Sequence, residues 1–137
     1  MVIQPYLFFD GSCEAALQFY QQAIGAEVQL LMRYKDAPDP PPPGMVAPGA
    51  GSKVMHVTFR VGDSLVMASD GHCGGKADFR GFALSLALPG PADVDRAYAA
   101  LVEGGKVDMP LGKTFWSPRF GMLTDRLGVR WMLTVAT

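Results

Sequence analysis

His56 stands in the middle of the apolar stretch Val54-Met55-His56-Val57-Thr58-Phe59. An imidazole titrates near neutral pH, so inside a pocket it serves as a general base or as a ligand anchor. If the stretch is a strand, Met55, Val57, Phe59 and Val61 alternate to one face and leave His56, Thr58 and Arg60 on the other. The plainer alternative is an imidazole held by a structural hydrogen bond or facing solvent. Asp70, His72 and Cys73 form the densest polar cluster, within Ser69-Asp70-Gly71-His72-Cys73. Such donors suit a metal ion, but adjacent side chains of an extended segment diverge, and the glycines around them favour a solvated turn. Asp70 alone, closing a strand, is a candidate polar anchor and a proton-transfer partner for His56. Residues 114–121, Thr-Phe-Trp-Ser-Pro-Arg-Phe-Gly, gather Phe115, Trp116 and Phe120 around a proline turn with Arg119. Flat apolar walls and one cation for an anion would make a substrate mouth. The same residues would equally plug a core or form a dimer contact. Tyr6, Phe8 and Trp131 read as wall or core rather than catalytic groups, and the eight methionines as an adaptable apolar interior.

A chain of 137 residues is long enough to bury a core of its own. Its apolar content of 49% and charged content of 18% fit a globular protein. A net charge of -1, with no run of either sign, argues against nucleic acid and against an anionic membrane surface as partners. No apolar run approaches the roughly 20 residues of a spanning helix. The opening Met-Val-Ile-Gln-Pro-Tyr-Leu-Phe-Phe lacks a basic leader and reads as a first strand. Cys13 and Cys73 are far apart, with no C-x-x-C pattern, so reduced thiols and a cytoplasmic location are expected.

These residues need elements to hold them. Residues 2–9 read as a strand, with Pro5 denying it a full ladder. Ser12 is placed to cap a helix running to Ile24, whose inner face carries Cys13, Ala16, Leu17, Tyr20 and Ile24 before Gly25 stops it. Residues 26–34 form a strand. The proline-rich stretch 37–51 fits neither helix nor sheet interior, and is either a solvated excursion or a lid over a pocket. Residues 53–62 and 64–70 make a hairpin, followed by a Gly-rich connection. The order then repeats: a strand at 82–88, a helix from Pro91 stopped by Gly104 and Gly105, a strand at 106–111, and a closing hairpin.

The repetition extends to residues. Gly-Met-Leu-Thr-Asp-Arg-Leu-Gly-Val-Arg-Trp-Met-Leu, 121–133, lies over 55–67 at an offset of 66, with Thr124 on Thr58, Arg126 on Arg60, Gly128 on Gly62 and Leu133 on Met67. The helices match at about 80, and the difference is close to the length of the proline-rich stretch present in the first copy. One such unit is too small to bury a core alone, so the units share one, or complete it through a second chain.

The stretches PYLFFDGSCEAALQFY, KVMHVTF with GDSLVMASD, GFALSLAL and TFWSPRFGMLTDRLGVRWML resemble the vicinal-oxygen-chelate superfamily, the glyoxalase, bleomycin-resistance and dioxygenase group, and within it the PhnB-like branch. The resemblance covers nearly the whole chain. It implies an α+β fold of two βαβββ modules, 1–75 and 80–137, forming one domain. Their curled mixed sheets would surround a cavity, with the helices on the outer face, and a homodimer is expected. Superfamily enzymes usually hold a divalent metal through His, Gln or Glu on the first and last strands of each module. Here residues 2–9 offer Gln4, residues 81–88 offer no good ligand, and Met67 and Leu133 occupy the last strands. The resemblance therefore points to a chain with no metal site and no cofactor.

Three readings stand beside one another. One is a cytoplasmic protein that binds or sequesters an unidentified small molecule. It would use His56 and Asp70 as polar groups, Tyr6, Phe8, Met67, Phe115, Trp116, Phe120 and Leu133 as walls, and Arg119 as cation. Another is an enzyme using His56 and Asp70 for proton transfer on a small polar metabolite, without a metal or with a non-standard one. The third is a scaffold whose dimer surface is its purpose. A methyltransferase site is not present: no Gly-rich strand-to-helix turn followed by an acid occurs, and Gly104-Gly105-Lys106 follows a helix.

Overall fold

A computed structural model describes residues 1–39, 42, 44–73 and 75–137. The chain divides into two compact units, Met1–Ala77 and Asp78–Thr137. No helix among the described residues is long and apolar enough to cross a membrane.

The first unit runs β1 (Tyr6–Phe8), α1 (Cys13–Ile24), β2 (Glu27–Arg33), β3 (Val54–Val61) and β4 (Ser64–Ser69), with short 3-10 turns at Tyr34–Asp36 and Ala50–Ser52. Its sheet has the order β1-β4-β3-β2, with β1 parallel to β4 and the other pairs antiparallel. The second unit runs β5 (Leu84–Leu88), α2 (Pro91–Val102), β6 (Lys106–Gly112), β7 (Phe120–Thr124) and β8 (Arg130–Val135). Its sheet has the matching order β5-β8-β7-β6, again with the first strand parallel and the rest antiparallel. Each unit is thus a βαβββ arrangement with one helix packed on one mixed sheet, an α+β fold.

Alternation along the strands assigns one face of each sheet to the helix. In the first unit Val57, Phe59, Val66 and Ala68 are buried and share the face on which Phe59 stacks against Tyr20 of α1, ring centroids 6.2 Å apart. Cys13, Ala16, Leu17, Phe19 and Tyr20 complete that core, while Ile24 is only half-buried. In the second unit Leu123, Trp131 and Leu133 lie beneath Val94, Ala97, Tyr98 and Leu101 of α2. The Tyr98 hydroxyl contacts the carbonyls of Met109 and Met122, each at 3.1 Å, and fastens α2 to β6 and β7.

The first strand is shorter than the apolar run 2–9 suggests. Pro5 has no N–H to give, and only its carbonyl joins the sheet, accepting from the Met67 amide at 3.0 Å. Met1, Val2 and Ile3 stay exposed ahead of it. The start of α1 also differs. The Ser12 hydroxyl donates back to the Phe9 carbonyl at 3.0 Å and caps nothing. At the other end Gly25 takes φ +68°, and the Ala26 amide reaches back to the Tyr20 carbonyl, as a left-handed terminus requires.

Gly105 is needed for a different reason. A Cβ there would stand 2.1 Å from the Thr124 carbonyl oxygen, so the chain leaving α2 crosses β7 with no room for a side chain. Gly105→Ala is expected to destabilise the fold by about 2–3 kcal/mol, the range for overpacking a fitted contact, read as a lower urea midpoint at unchanged slope. A second expectation concerns Cys13. Burial first, and the Asp70 charge next, push its thiol up to about 12. At pH 8 iodoacetamide should leave Cys13 unmodified in the folded chain and alkylate it in urea, as peptide mass mapping would reveal.

Candidate functional site

The face of the first sheet turned away from α1 carries the chemistry. Register places Tyr6 beside Met67 beside Thr58 beside Leu30, and His56 beside Met32. Phe8 follows Tyr6 two residues on, their rings 4.9 Å apart, and 58% of Phe8 is exposed. Across this apolar ground runs a polar strip. The Tyr6 hydroxyl and His56 Nδ1 are 2.9 Å apart, and His56 Nε2 and Thr58 Oγ1 are 3.1 Å apart. Tyr6 also packs against the imidazole, with centroids 5.5 Å apart. Arg60, farther along the same face, is held by Glu27 at 2.7 Å. Four of the residues expected to form the site, Tyr6, Phe8, His56 and Met67, therefore meet on one surface. Thr58 joins them as a bonded partner, and Leu30 and Met32 are wall residues that strand alternation alone did not single out.

Asp70 lies elsewhere. It is 1% exposed, and both its oxygens are occupied by backbone amides. Oδ1 accepts from Gly11 and Cys13, each at 2.8 Å, and Oδ2 accepts from Val54 at 2.8 Å. The carboxylate caps α1 in place of Ser12 and pins the start of β3. This corrects the expectation that Asp70 works with His56, because its oxygens face the helix and are filled. No isolated acid at a strand end advertises this role in the sequence.

Leu133 is corrected too. It is fully buried on the helix-facing side of β8, whereas Met67 lies on the open face of β4. The offset of 66 holds for β3 and β7, then fails at the turn. Thr58 lies opposite Met67 with eight residues between them, and Thr124 lies opposite Arg130 with five. The shorter closure shifts the second copy by three residues, an odd number, and so reverses its face. Met132 and Thr134, not Leu133, occupy the open face of β8.

In the second unit Trp116 stacks edge-on to both Phe115 and Phe120, at 4.7 and 5.2 Å. Phe115 is 98% exposed, whereas Phe120 is buried. The turn that carries them is fixed by Ser117, whose hydroxyl donates to the Arg119 carbonyl at 2.9 Å and accepts from the Val135 amide at 3.2 Å. Arg119 does not stand free beside the rings: its Nε donates to Asp95 of α2 at 2.6 Å. The cation expected to receive an anion is already paired. Buried Asp125 shapes the neighbouring turn, accepting from the Leu127 and Val129 amides and from Trp131 Nε1 at 2.9 Å.

The described part of the proline-rich stretch packs within the first unit. The Ala47 amide donates to the His72 carbonyl at 3.0 Å, His72 Nδ1 contacts the Met45 carbonyl, and the Tyr34 hydroxyl donates to the Gly71 carbonyl at 2.5 Å. A shallow hollow of about 240 Å³ opens between Tyr34, Lys35, Val46 and Ala50. Pro40, Pro41 and Pro43 of the same stretch lie outside the described residues, as does Gly74 of the Gly-rich connection.

The open faces of the first and last strands carry few of the superfamily's usual metal ligands. Among the described residues no three His, Cys, Asp or Glu side chains come together. On their open faces the first and last strands present Tyr6 and Met67 in one unit, and Ser85 and Met132 in the other. A thioether, a phenol and a hydroxyl are poor partners for a divalent ion that wants imidazole, carboxylate or thiolate.

Removing the Asp70 carboxylate strands two buried amides, at about 1–3 kcal/mol each, and one half-buried amide. Asp70→Ala should therefore cost about 3 kcal/mol or more in chemical denaturation, while Ser12→Ala costs under about 1 kcal/mol.

Comparison with known proteins agrees with this architecture. Residues 2–133 match the family model of the Glyoxalase/Bleomycin resistance protein/Dioxygenase superfamily. Protein YjdN of Escherichia coli K12 is 34% identical, over 98% of this chain and 95% of its own length. The crystal structure of PA1353 from Pseudomonas aeruginosa superposes with a TM-score of 0.85 at 38% identity, covering 98% of this chain and 97% of that one. The PhnB protein of Bacillus cereus superposes with a TM-score of 0.81 at 28% identity, covering 99% and 100%. With the two βαβββ units and the family match in hand, the chain belongs to the glyoxalase/bleomycin resistance protein/dioxygenase superfamily.

Proposed function

We propose that this chain is a small-molecule-binding protein of the superfamily, working in the cytoplasm as a homodimer and without the superfamily's metal centre. The observation that carries this reading is the Tyr6–His56–Thr58 strip, set in a sheet face otherwise lined by Phe8, Leu30, Met32 and Met67. A few oriented polar groups on an aromatic and aliphatic surface are what a small organic ligand requires. Among the described residues no three His, Cys, Asp or Glu side chains come together, which supports the metal-independent part. Exposed apolar residues at Met1, Val2 and Ile3, and on the edge strands at Leu30, Val107 and Met109, favour a second copy as the protein partner. The net charge of -1 supports no role for nucleic acid.

A second reading draws on one contact. The Tyr6 hydroxyl against His56 Nδ1 would orient the imidazole for proton transfer on a small polar metabolite, with no metal or with a non-standard one. The two readings part under mutation.

Elemental analysis of protein purified without chelator or affinity tag should find far less than one metal per chain. Stoichiometric zinc, iron, nickel or manganese would overturn the metal-independent reading. A thermal-shift screen of small metabolites should then yield a stabilising ligand, worth about 2.7 kcal/mol at a hundredfold excess over Kd. For a binder, Phe8→Ala removes most of that shift. For a proton-transfer enzyme, His56→Ala keeps the shift and loses turnover.

A further inference from the structure

Building on the proposed ligand site, we infer that the first sheet selects an uncharged, flat, mainly apolar molecule bearing a hydrogen-bond-accepting oxygen, an aromatic carbonyl compound being the simplest example. Two observations carry this, proton counting along the strip and the fate of the cations around it.

Both nitrogens of a neutral His56 are already used within the strip, one by Tyr6 and one by Thr58. Two proton arrangements satisfy it. In one, the Tyr6 hydroxyl donates to Nδ1 and Nε2–H donates to Thr58, so the Thr58 proton is left over. In the other, Nδ1–H donates to Tyr6 and Thr58 donates to Nε2, so the Tyr6 proton is left over. Either way the three side chains leave one hydroxyl proton unspent within the strip, at one end or the other. A ligand oxygen that accepts this proton completes the strip's donors, and the hydroxyl lone pairs left over are open to water.

The charge of that acceptor follows from its neighbours. Arg60 is the one cationic residue on this face of the four strands, and Glu27 already holds it at 2.7 Å. Arg33, at the end of β2, is bonded to Glu14 and to the Ser52 carbonyl. A carboxylate or phosphate seated over the strip would give up water without gaining a free guanidinium, a loss that a neutral carbonyl avoids. The rest of the surface is mainly ring and thioether: Phe8 with Tyr6 on one side of the strip, Met67 and Met32 along it, and Leu30 beyond Thr58. Such groups favour a flat π-system.

Acetophenone, benzoate and toluene share a ring and differ in this one respect. They are titrated into the full chain carrying 13C-labelled methionine methyls, with Met32 and Met67 reporting the first sheet and Met122 and Met132 the second. Acetophenone is expected to shift Met32 and Met67 at concentrations at least fivefold below benzoate and toluene. The triple variant Tyr6→Phe/His56→Phe/Thr58→Val, which removes every side-chain proton of the strip, should weaken acetophenone about fivefold, the value of one neutral hydrogen bond, and leave toluene unchanged. Benzoate binding as tightly as acetophenone at Met32 and Met67 overturns the ligand class and leaves the proposed site in place. An acetophenone affinity unaffected by the triple substitution likewise overturns the role given to the strip. Shifts confined to Met122 and Met132 overturn the site as well.

Discussion

A buried carboxylate with nothing but amides around it organises the first unit. Asp70 closes β4, and its two oxygens gather the N-terminus of α1 and the first residue of β3. Three separate pieces of chain meet at that point. A charge buried to this degree is tolerable only when its lone pairs are filled, and backbone amides at a helix start fill them well. The contact fixes where β3 begins, and His56 comes two residues later. Polar geometry on the open face is thus set by a residue that never reaches it. Asp125 does comparable work in the second unit, tying its own hairpin turn to the Trp131 indole.

The sheets separate structural and functional duties by alternation. Odd positions of β3 pack under α1 as Val57 and Phe59, and even positions turn outward as His56, Thr58 and Arg60. The outward side is bonded as well. The imidazole is bonded at both nitrogens, the neighbouring guanidinium is bonded to Glu27, and Arg119 in the other unit is bonded to Asp95. On the first sheet, with Arg60 engaged by Glu27, the open face offers neutral hydrogen bonding and apolar contact.

Much of the fold could be read from residue order. Both helices, both hairpins, the duplication and the outward face of β3 follow from hydrophobic period and from glycine stops. Positions that depend on partners distant in sequence could not be read this way. Asp70 looks like a functional acid because its three amide partners lie 16 to 59 residues away. Arg119 looks like a free cation because Asp95 sits on a helix 24 residues earlier. Leu30 and Met32 were invisible as wall residues because β2 carries register irregularities at Val28/Leu30 and Met32/Arg33, which break simple alternation. Ser117 gave no signal beyond standing next to a proline.

The unequal hairpin closures bear on how such chains descend from one another. A three-residue contraction keeps the rungs up to Thr124 and Arg130 and drops those nearest the turn, and it carries each later side chain to the opposite surface. Heredity in this architecture acts on pairing, and letters slide beneath it. Functional roles transferred between homologues by aligned columns therefore lose their meaning past the first closure whose length has changed, whereas roles transferred rung by rung survive.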